Sequence, residues 1–293
     1  MPIHSMKAST SRQQKIAAVF ATEIWPLVPE RAAELLLRGL PARPATRAFE
    51  VGCSDGRLSL QIAERLAPGG RLTAIDGSPA MIALAEAEQA RRVGGVGGGG
   101  EAKSRRSNVS FQVCEASPPF PVGDGECDLV FSNLGLADAP ERGAGLRALA
   151  GCLDHGGTLL ATFPLRGCWA EFLDIYRDVL TEQRNAEALA ALRTYEDDLP
   201  DPTVAARWLE SAGLTQISVQ TMRWELLFKS AREFFFSPVV ELGPLPLWKQ
   251  IAGGRGDAMQ DVFLFVKEAI DAYFLGAAFP VTMVVGCLKA EQP

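Results

Sequence analysis

From Arg47 onward the chain alternates short, continuously apolar runs with segments of helical period, and that rhythm constrains the fold more than any other feature. "RAFEVG" reads as a strand, "RLSLQIAERLA" as a helix stopped by Pro68-Gly69-Gly70, "RLTAID" as a second strand and "PAMIALAEAEQARR" as its helix. "VSFQVCEA", "CDLVFSN" and "GTLLATF" follow as strands three to five, with "ERGAGLRALAGCL" as the helix ahead of the last. Strands joined through helices run parallel, and apolar runs without polar alternation are buried on both faces. The expected architecture is therefore an α/β sheet with helices on both sides.

The flanking segments divide by the same patterns. Residues 1–44 are expected to be a helical region after a frayed arm, with Pro26 and Pro29 splitting it into two helices. The sheet core spans 45–163, and a helical insertion follows over 164–204, with Phe172, Tyr176, Val179 and Leu180 along one face. "DPTVAARWLESAG" carries its own punctuation: Asp201 as cap, Pro202 at the first helical position and Gly213 as stop. That helix and the sixth strand, "TQISVQTM", occupy 205–223, and "PVTMVVGCLKA" leads into a last strand over 281–293. Residues 224–280 are too many for a hairpin, so they form a second insertion, expected to build a lid or substrate wall. The glycine-rich, charged stretch 93–108 reads as a flexible surface loop.

Composition excludes several classes. A formal charge of −6 and a pI of about 5.2 give no bias towards nucleic acid. No apolar run reaches the roughly 18 residues of a membrane span, and the first residues lack the apolar stretch of a secretory signal. The six cysteines contain no C-x-x-C pair, and four sit in apolar runs, where a thiol acts as a small hydrophobe. A cytoplasmic protein with reduced thiols and no bound metal is expected.

The turn in "FEVGCSDGRLSL" carries the chemistry. A dinucleotide site needs G-x-G-x-x-G so that backbone can approach a pyrophosphate. Counting from Gly52, Ser54 and Arg57 stand where the second and third glycines should be, so that reading fails. What remains is Glu50-x-Gly52-x-x-x-Gly56, an acid beside a tight turn, which suits a ligand bearing an ammonium and no phosphate. S-adenosyl-L-methionine, with its zwitterionic end and sulfonium, is such a ligand. Asp76 ends the second strand, where it could accept both ribose hydroxyls, and Glu115-Ala116 follows the third, within reach of an adenine amino group. Met81 fits either core packing or an adenine face, and Glu50, Asp76 and Glu115 could also be solvated strand ends.

Taken in order, "FEVGCSDGRLSL", "AIDGSPAMIALA", "CEASPPFP" and "CDLVFSNLGLADAPERGAGLRALAGCLDHGGTLLATF" resemble the successive motifs of class I S-adenosylmethionine-dependent methyltransferases over residues 45–163. The resemblance implies a Rossmann-like, seven-stranded sheet, mostly parallel with an antiparallel last strand. It implies that Glu50 and Gly52 hold the methionyl part, with Cys53, Ser54, Gly56 and Gly77 completing the turns. It further implies that Asp76 takes the ribose, Met81 the adenine face and Glu115 with Ala116 its edge, while Ser132, Asn133 and Leu134 line the sulfonium and substrate side. Ser54 departs from the usual glycine, which would crowd the cofactor, and "DHGG" replaces the common Pro-Gly-Gly turn.

"SNLG" is not the Asn-Pro-Pro-Tyr of adenine or glutamine N-methylation, and no Pro-Cys nucleophile for cytosine is present. The implied activity is methyl transfer to a small or carrier-bound organic molecule. "SNLGL", the helical insertion and "FPVTMVVGCLKA" also resemble the biotin-pathway methyltransferases of malonyl-acyl carrier protein, although Ala137-Asp138 replaces their usual pair. A non-catalytic assembly factor on the same fold is the rival from another class. His4 and His155 lie away from the strand tops, so the one candidate base is Asp138, which could equally be a solvated loop acid.

Overall fold

The computed structural model describes residues 10–94, 108–139, 141–254 and 256–293. Residues 1–9 of the expected frayed arm 1–15 and most of the glycine-rich loop lie outside the described residues, while from Thr10 the expected arm is helical. The seven expected strands are β1 (Arg47–Val51), β2 (Arg71–Asp76), β3 (Val109–Val113), β4 (Cys127–Asn133), β5 (Leu153–Pro164), β6 (Thr215–Phe228) and β7 (Phe279–Glu291). They join one sheet in the order β3-β2-β1-β4-β5-β7-β6. The pairs β1–β2, β1–β4, β2–β3 and β4–β5 are parallel, whereas β7 is antiparallel to both β5 and β6.

Helices cover both faces, as buried-on-both-sides strands require. On one face α2 (Pro29–Arg38) and α3 (Arg57–Ala63) set Leu36, Leu58 and Ile62 with Leu72, Leu129, Phe131 and Leu160 of the sheet. Also on this sheet is α4 (Pro79–Gly94), which contacts β2 and β3. On the other face α5 (Arg142–Gly151) and α8 (Pro202–Ser211) set Leu146, Leu149 and Leu209 with Phe49, Val130, Leu159 and Phe163.

The two insertions meet in a third core. It is built by α6 (Ala170–Glu182), α7 (Ala186–Asp198), α9 (Ala231–Phe236), α10 (Pro238–Glu241), α11 (Leu245–Ile251) and α12 (Asp257–Tyr273). Phe172, Tyr176, Phe234, Trp248, Val266 and Phe279 are buried in it, so the Phe234–Phe236 run divides: Phe234 is packed inside and Phe236 is exposed. Val28 and Ala32 reach the same core, tying the N-terminal region to this cap.

Two local outcomes refine the sequence reading. The sixth strand runs on to Phe228 instead of ending near Met222. Trp224, Leu226 and Phe228 are buried while Glu225 and Leu227 are exposed, a period-two alternation that the charged residues in "RWELLF" disguise. At the N-terminus, α1 (Thr10–Val19) passes into a single π turn at Phe20–Ile24, and α2 starts with Pro29 in its first turn. All six cysteines are free thiols, five of them buried.

The cap of α8 forms as its sequence signals: Asp201 Oδ1 accepts from the amides of Thr203 and Val204, both at 2.8 Å, and Gly213 closes the helix at φ +81°. Asp201→Ala leaves those amides without their acceptor and should lower stability. Urea unfolding should show a lower midpoint at unchanged slope.

Candidate functional site

Strand order reverses between β1 and β4, since β2 and β3 lie to one side and β5 to the other. A crevice opens at such a point, at the carboxyl ends of the strands. The turn after β1 forms its floor, with Gly52 at φ +76°, Ser54 at +49° and Gly56 at +74°. The amides of Gly52 and Cys53 both donate to the Ile75 carbonyl at 2.9 Å, which ties this turn to the end of β2.

Two of its glycines are required by close approach. A Cβ on Gly52 would lie 2.5 Å from the Gly135 Cα, and one on Gly135 would lie 2.5 Å from the Val51 carbonyl oxygen. A Cβ on Gly56 would lie 2.7 Å from Ala85 and 2.8 Å from the Phe111 ring. Gly135 was not singled out in the sequence; its signal is its place two residues past β4, opposite Gly52.

Asp76 organises both turns at once. Its Oδ2 accepts from the Ser54 amide at 3.0 Å and its Oδ1 from the Ser78 amide at 2.8 Å. Ser54 therefore adopts the left-handed conformation that a glycine would take more cheaply, and its N–H is turned onto Asp76. Ser78 caps α4, its hydroxyl accepting from the Met81 amide at 3.4 Å. Gly77 and Met81 are half-buried beside it.

The electrostatics of the crevice are one-sided. Glu50 is 1% exposed and accepts from the Ser59 hydroxyl at 2.5 Å. Burial, with Asp76 and Asp55 nearby, pushes its carboxyl from the ordinary 4.5 up to about 8, against the Ser59 hydrogen bond that favours ionisation. Asp55, which sequence reasoning passed over, is 3% exposed, and burial raises its pKa as well. Arg57 Nε lies 3.2 Å from its Oδ2, and the same guanidinium sits 5.7 Å from the centre of the Trp25 ring. Arg57 is paired with Asp55, and Glu50 is buried near both Asp55 and Asp76, so the crevice fits a ligand that brings positive charge. The ammonium and sulfonium of S-adenosylmethionine meet that requirement.

The residues at the end of β4 and just past it divide in their roles. Ser132 is buried and donates to the Val51 carbonyl at 2.8 Å, joining β4 to β1. Asn133 donates to the Pro29 carbonyl at 2.9 Å and accepts from Thr162 Oγ1 at 2.8 Å. The polar atoms of both thus serve the framework, while Leu134, at φ +62°, packs against the cap. Glu115 is exposed just past β3, and Ala116 packs against the core under α5. Asp138 is exposed in the turn after β4. His155 is at the opposite end of the sheet, hydrogen-bonded to the Pro293 carbonyl, and takes no part in the crevice.

Known proteins resemble this chain in sequence and in fold. The family described as Methyltransferase domain matches residues 48–157. The trans-aconitate 2-methyltransferase of Streptomyces avermitilis is 31% identical over 267 residues, covering 88% of this chain and 91% of that protein. The aklanonic acid methyltransferase DauC of Streptomyces sp. (strain C5) is 29% identical over 189 residues, 60% of this chain and 78% of its own length. Phosphoethanolamine N-methyltransferase 2 of Haemonchus contortus, solved with phosphomonomethylethanolamine and S-adenosylhomocysteine, shares the fold. Its TM-score is 0.54 at 16% identity, over 97% of this chain and 58% of that one.

The chain belongs to the class I S-adenosylmethionine-dependent methyltransferases. It is an enzyme, and S-adenosylmethionine is its cofactor. No helix among the described residues is long and apolar enough to cross a membrane.

Two outcomes follow from the crevice. Ser54→Gly relieves a left-handed serine and should leave stability unchanged or raise it by up to about 1 kcal/mol, read by urea unfolding. Glu50 binds its proton more tightly folded than unfolded, so stability should fall as pH rises from 4.5 to about 8. An ammonium beside Glu50 favours its ionised form, so cofactor affinity should rise over the same window. Glu50→Gln should flatten both slopes, checked by unfolding and calorimetry at pH 6 and pH 8.

Proposed function

We propose that this enzyme methylates a carboxylate oxygen of a small organic acid. The observation that carries the reading is the similarity to the Streptomyces trans-aconitate 2-methyltransferase, which extends through the cap as well as the sheet core. A second relative, by its name, also acts on an acid.

The chemistry is consistent with the residues available. S-adenosylmethionine supplies a methyl group on a positively charged sulfur, ready for in-line displacement. A carboxylate is already ionised at neutral pH, so it attacks without a base, and the crevice needs no histidine. Positioning can then carry most of the acceleration, in principle about 7–11 kcal/mol.

In this reading Glu50 and the backbone of Gly52, Cys53, Ser54 and Gly56 hold the methionyl end. Asp76 and Gly77 take the ribose, and Met81, Glu115 and Ala116 the adenine. Leu134 borders the reacting side, with Ser132 and Asn133 holding the strand end that presents it. The aromatic cap closes over the acceptor and excludes water, which would serve both insertions as a lid. The acidic chain and its free thiols favour a cytoplasmic enzyme with a small-molecule acceptor and no nucleic-acid partner.

The test is product analysis by mass spectrometry after incubation with S-adenosylmethionine and, separately, trans-aconitate, 2-naphthoate and malonyl-acyl carrier protein. Methyl ester formed on a free acid is the expected result, with Glu50→Gln weakening cofactor affinity about tenfold or more. Ester formed only on the carrier-bound malonyl group would move the assignment to the biotin-type reaction, and no ester on any acid would overturn it.

A further inference from the structure

The loop after β4 is held from two sides. Its turns close on themselves, the Ala137 amide donating to the Leu134 carbonyl at 3.0 Å and the Ala139 amide to the Leu136 carbonyl at 3.2 Å. The Leu134 amide donates to Thr162 Oγ1 at 2.9 Å, and Gly135 lies against Gly52. This side of the loop therefore abuts the turn after β1.

A single side chain holds the other side. Arg142, the first residue of α5, donates from Nε to the Ala137 carbonyl at 2.8 Å. From Nη1 it donates to the Asp198 carbonyl and from Nη2 to Asp198 Oδ2, both at 2.7 Å. Asp198 is the last residue of α7, where free carbonyls favour a cation. Close by, the Arg166 amide donates to the Pro200 carbonyl at 2.9 Å, so the first insertion is clasped at its stem where Arg142 grips it.

Three bonds from one planar group fix distance and orientation together, which a lysine ammonium cannot reproduce. The Arg142 side chain is 16% exposed, but that of Asp198 is 65% exposed, so charge attraction alone adds little. What the guanidinium supplies is geometry. Ala188 and Leu192 of α7 are buried in the cap core, which Leu134 also joins. Contacts thus run unbroken from Gly52 through Gly135 and Ala137 to Arg142, Asp198 and the cap.

The geometry points to Arg142 as a positioning residue for methyl transfer: it sets the spacing between the cap and the turn after β1, and so the alignment of acceptor with methyl group. This role rests on the proposed reading, in which the cofactor lies on that turn and the acceptor under the cap.

Arg142→Met removes all three donors, and Arg142→Lys keeps the charge. S-adenosylhomocysteine should bind both at wild-type stoichiometry and within threefold of wild-type affinity, read by calorimetry. With trans-aconitate or 2-naphthoate, whichever the wild type methylates, kcat should fall about tenfold or more in Arg142→Met and less in Arg142→Lys. Full stoichiometry separates this loss from partial unfolding, which removes binding sites and kcat together. Arg47→Met breaks the ion pair with Asp154 at the far end of the sheet and should leave kcat unchanged.

Amide hydrogen exchange with S-adenosylhomocysteine bound needs no acceptor. In Arg142→Met the amides of Ala137 and Ala139 should exchange faster, while those of Gly52 and Cys53 keep their wild-type rates. If the wild type methylates neither acid, the acid reading falls and exchange alone decides, faster loop exchange sustaining the role of Arg142. Unchanged exchange, a kcat within twofold of wild type in Arg142→Met, or an equal loss in Arg47→Met would overturn it.

Discussion

The arrangement of the crevice depends on one contact, the backbone-to-backbone approach of Gly52 and Gly135. It lies where strand order reverses, and either residue with a side chain would collide with the other's main chain. Because the two turns touch, Ser132 can reach the Val51 carbonyl and lock the tops of β1 and β4 together. The turn after β1 is in turn pulled onto the end of β2 by the Ile75 carbonyl and the Asp76 carboxylate. Three strand ends are thereby fixed relative to one another before any ligand arrives, which is the preorganisation that a positioning-driven reaction needs.

The second constraint is electrostatic. Glu50, Asp55 and Asp76 crowd one end of the crevice, Arg57 pairs with Asp55, and burial already drives Glu50 towards its neutral form. A cationic ligand relieves that crowding, so its binding is coupled to the charge state of the turn. Trp25 links the same turn to the N-terminal region through its contact with Arg57, and Val28 continues from there into the cap. The β1 turn, the N-terminal region and the cap are therefore connected by packing.

Much of this was legible in the residues. Continuous apolar runs separated by helical period announced the parallel sheet, and the strands "RLTAID" and "CDLVFSN" form with the bounds that their letters suggest. The failed glycine spacing and the acids at strand ends indicated the cofactor. Ser54 looked like an obstruction, but a serine can adopt the left-handed turn when its amide has a carboxylate to meet. The end of β6 was hidden because edge strands alternate in polarity and so imitate loop composition. Asp55 and Gly135 escaped notice for a different reason: their importance comes from burial and close approach across the fold, which no local pattern records. The aromatic cap was visible as helices, yet the stacking of Phe172 on Trp248 depends on tertiary packing between two insertions.

The most direct test of the central claim is a crystal structure with S-adenosylhomocysteine. The account predicts density across the β1 turn, with the amino group at Glu50, the ribose hydroxyls at Asp76 and the sulfur directed towards Leu134 and the cap. Ligand bound elsewhere, or in this crevice with its amino group away from Glu50 and its ribose away from Asp76, would contradict it.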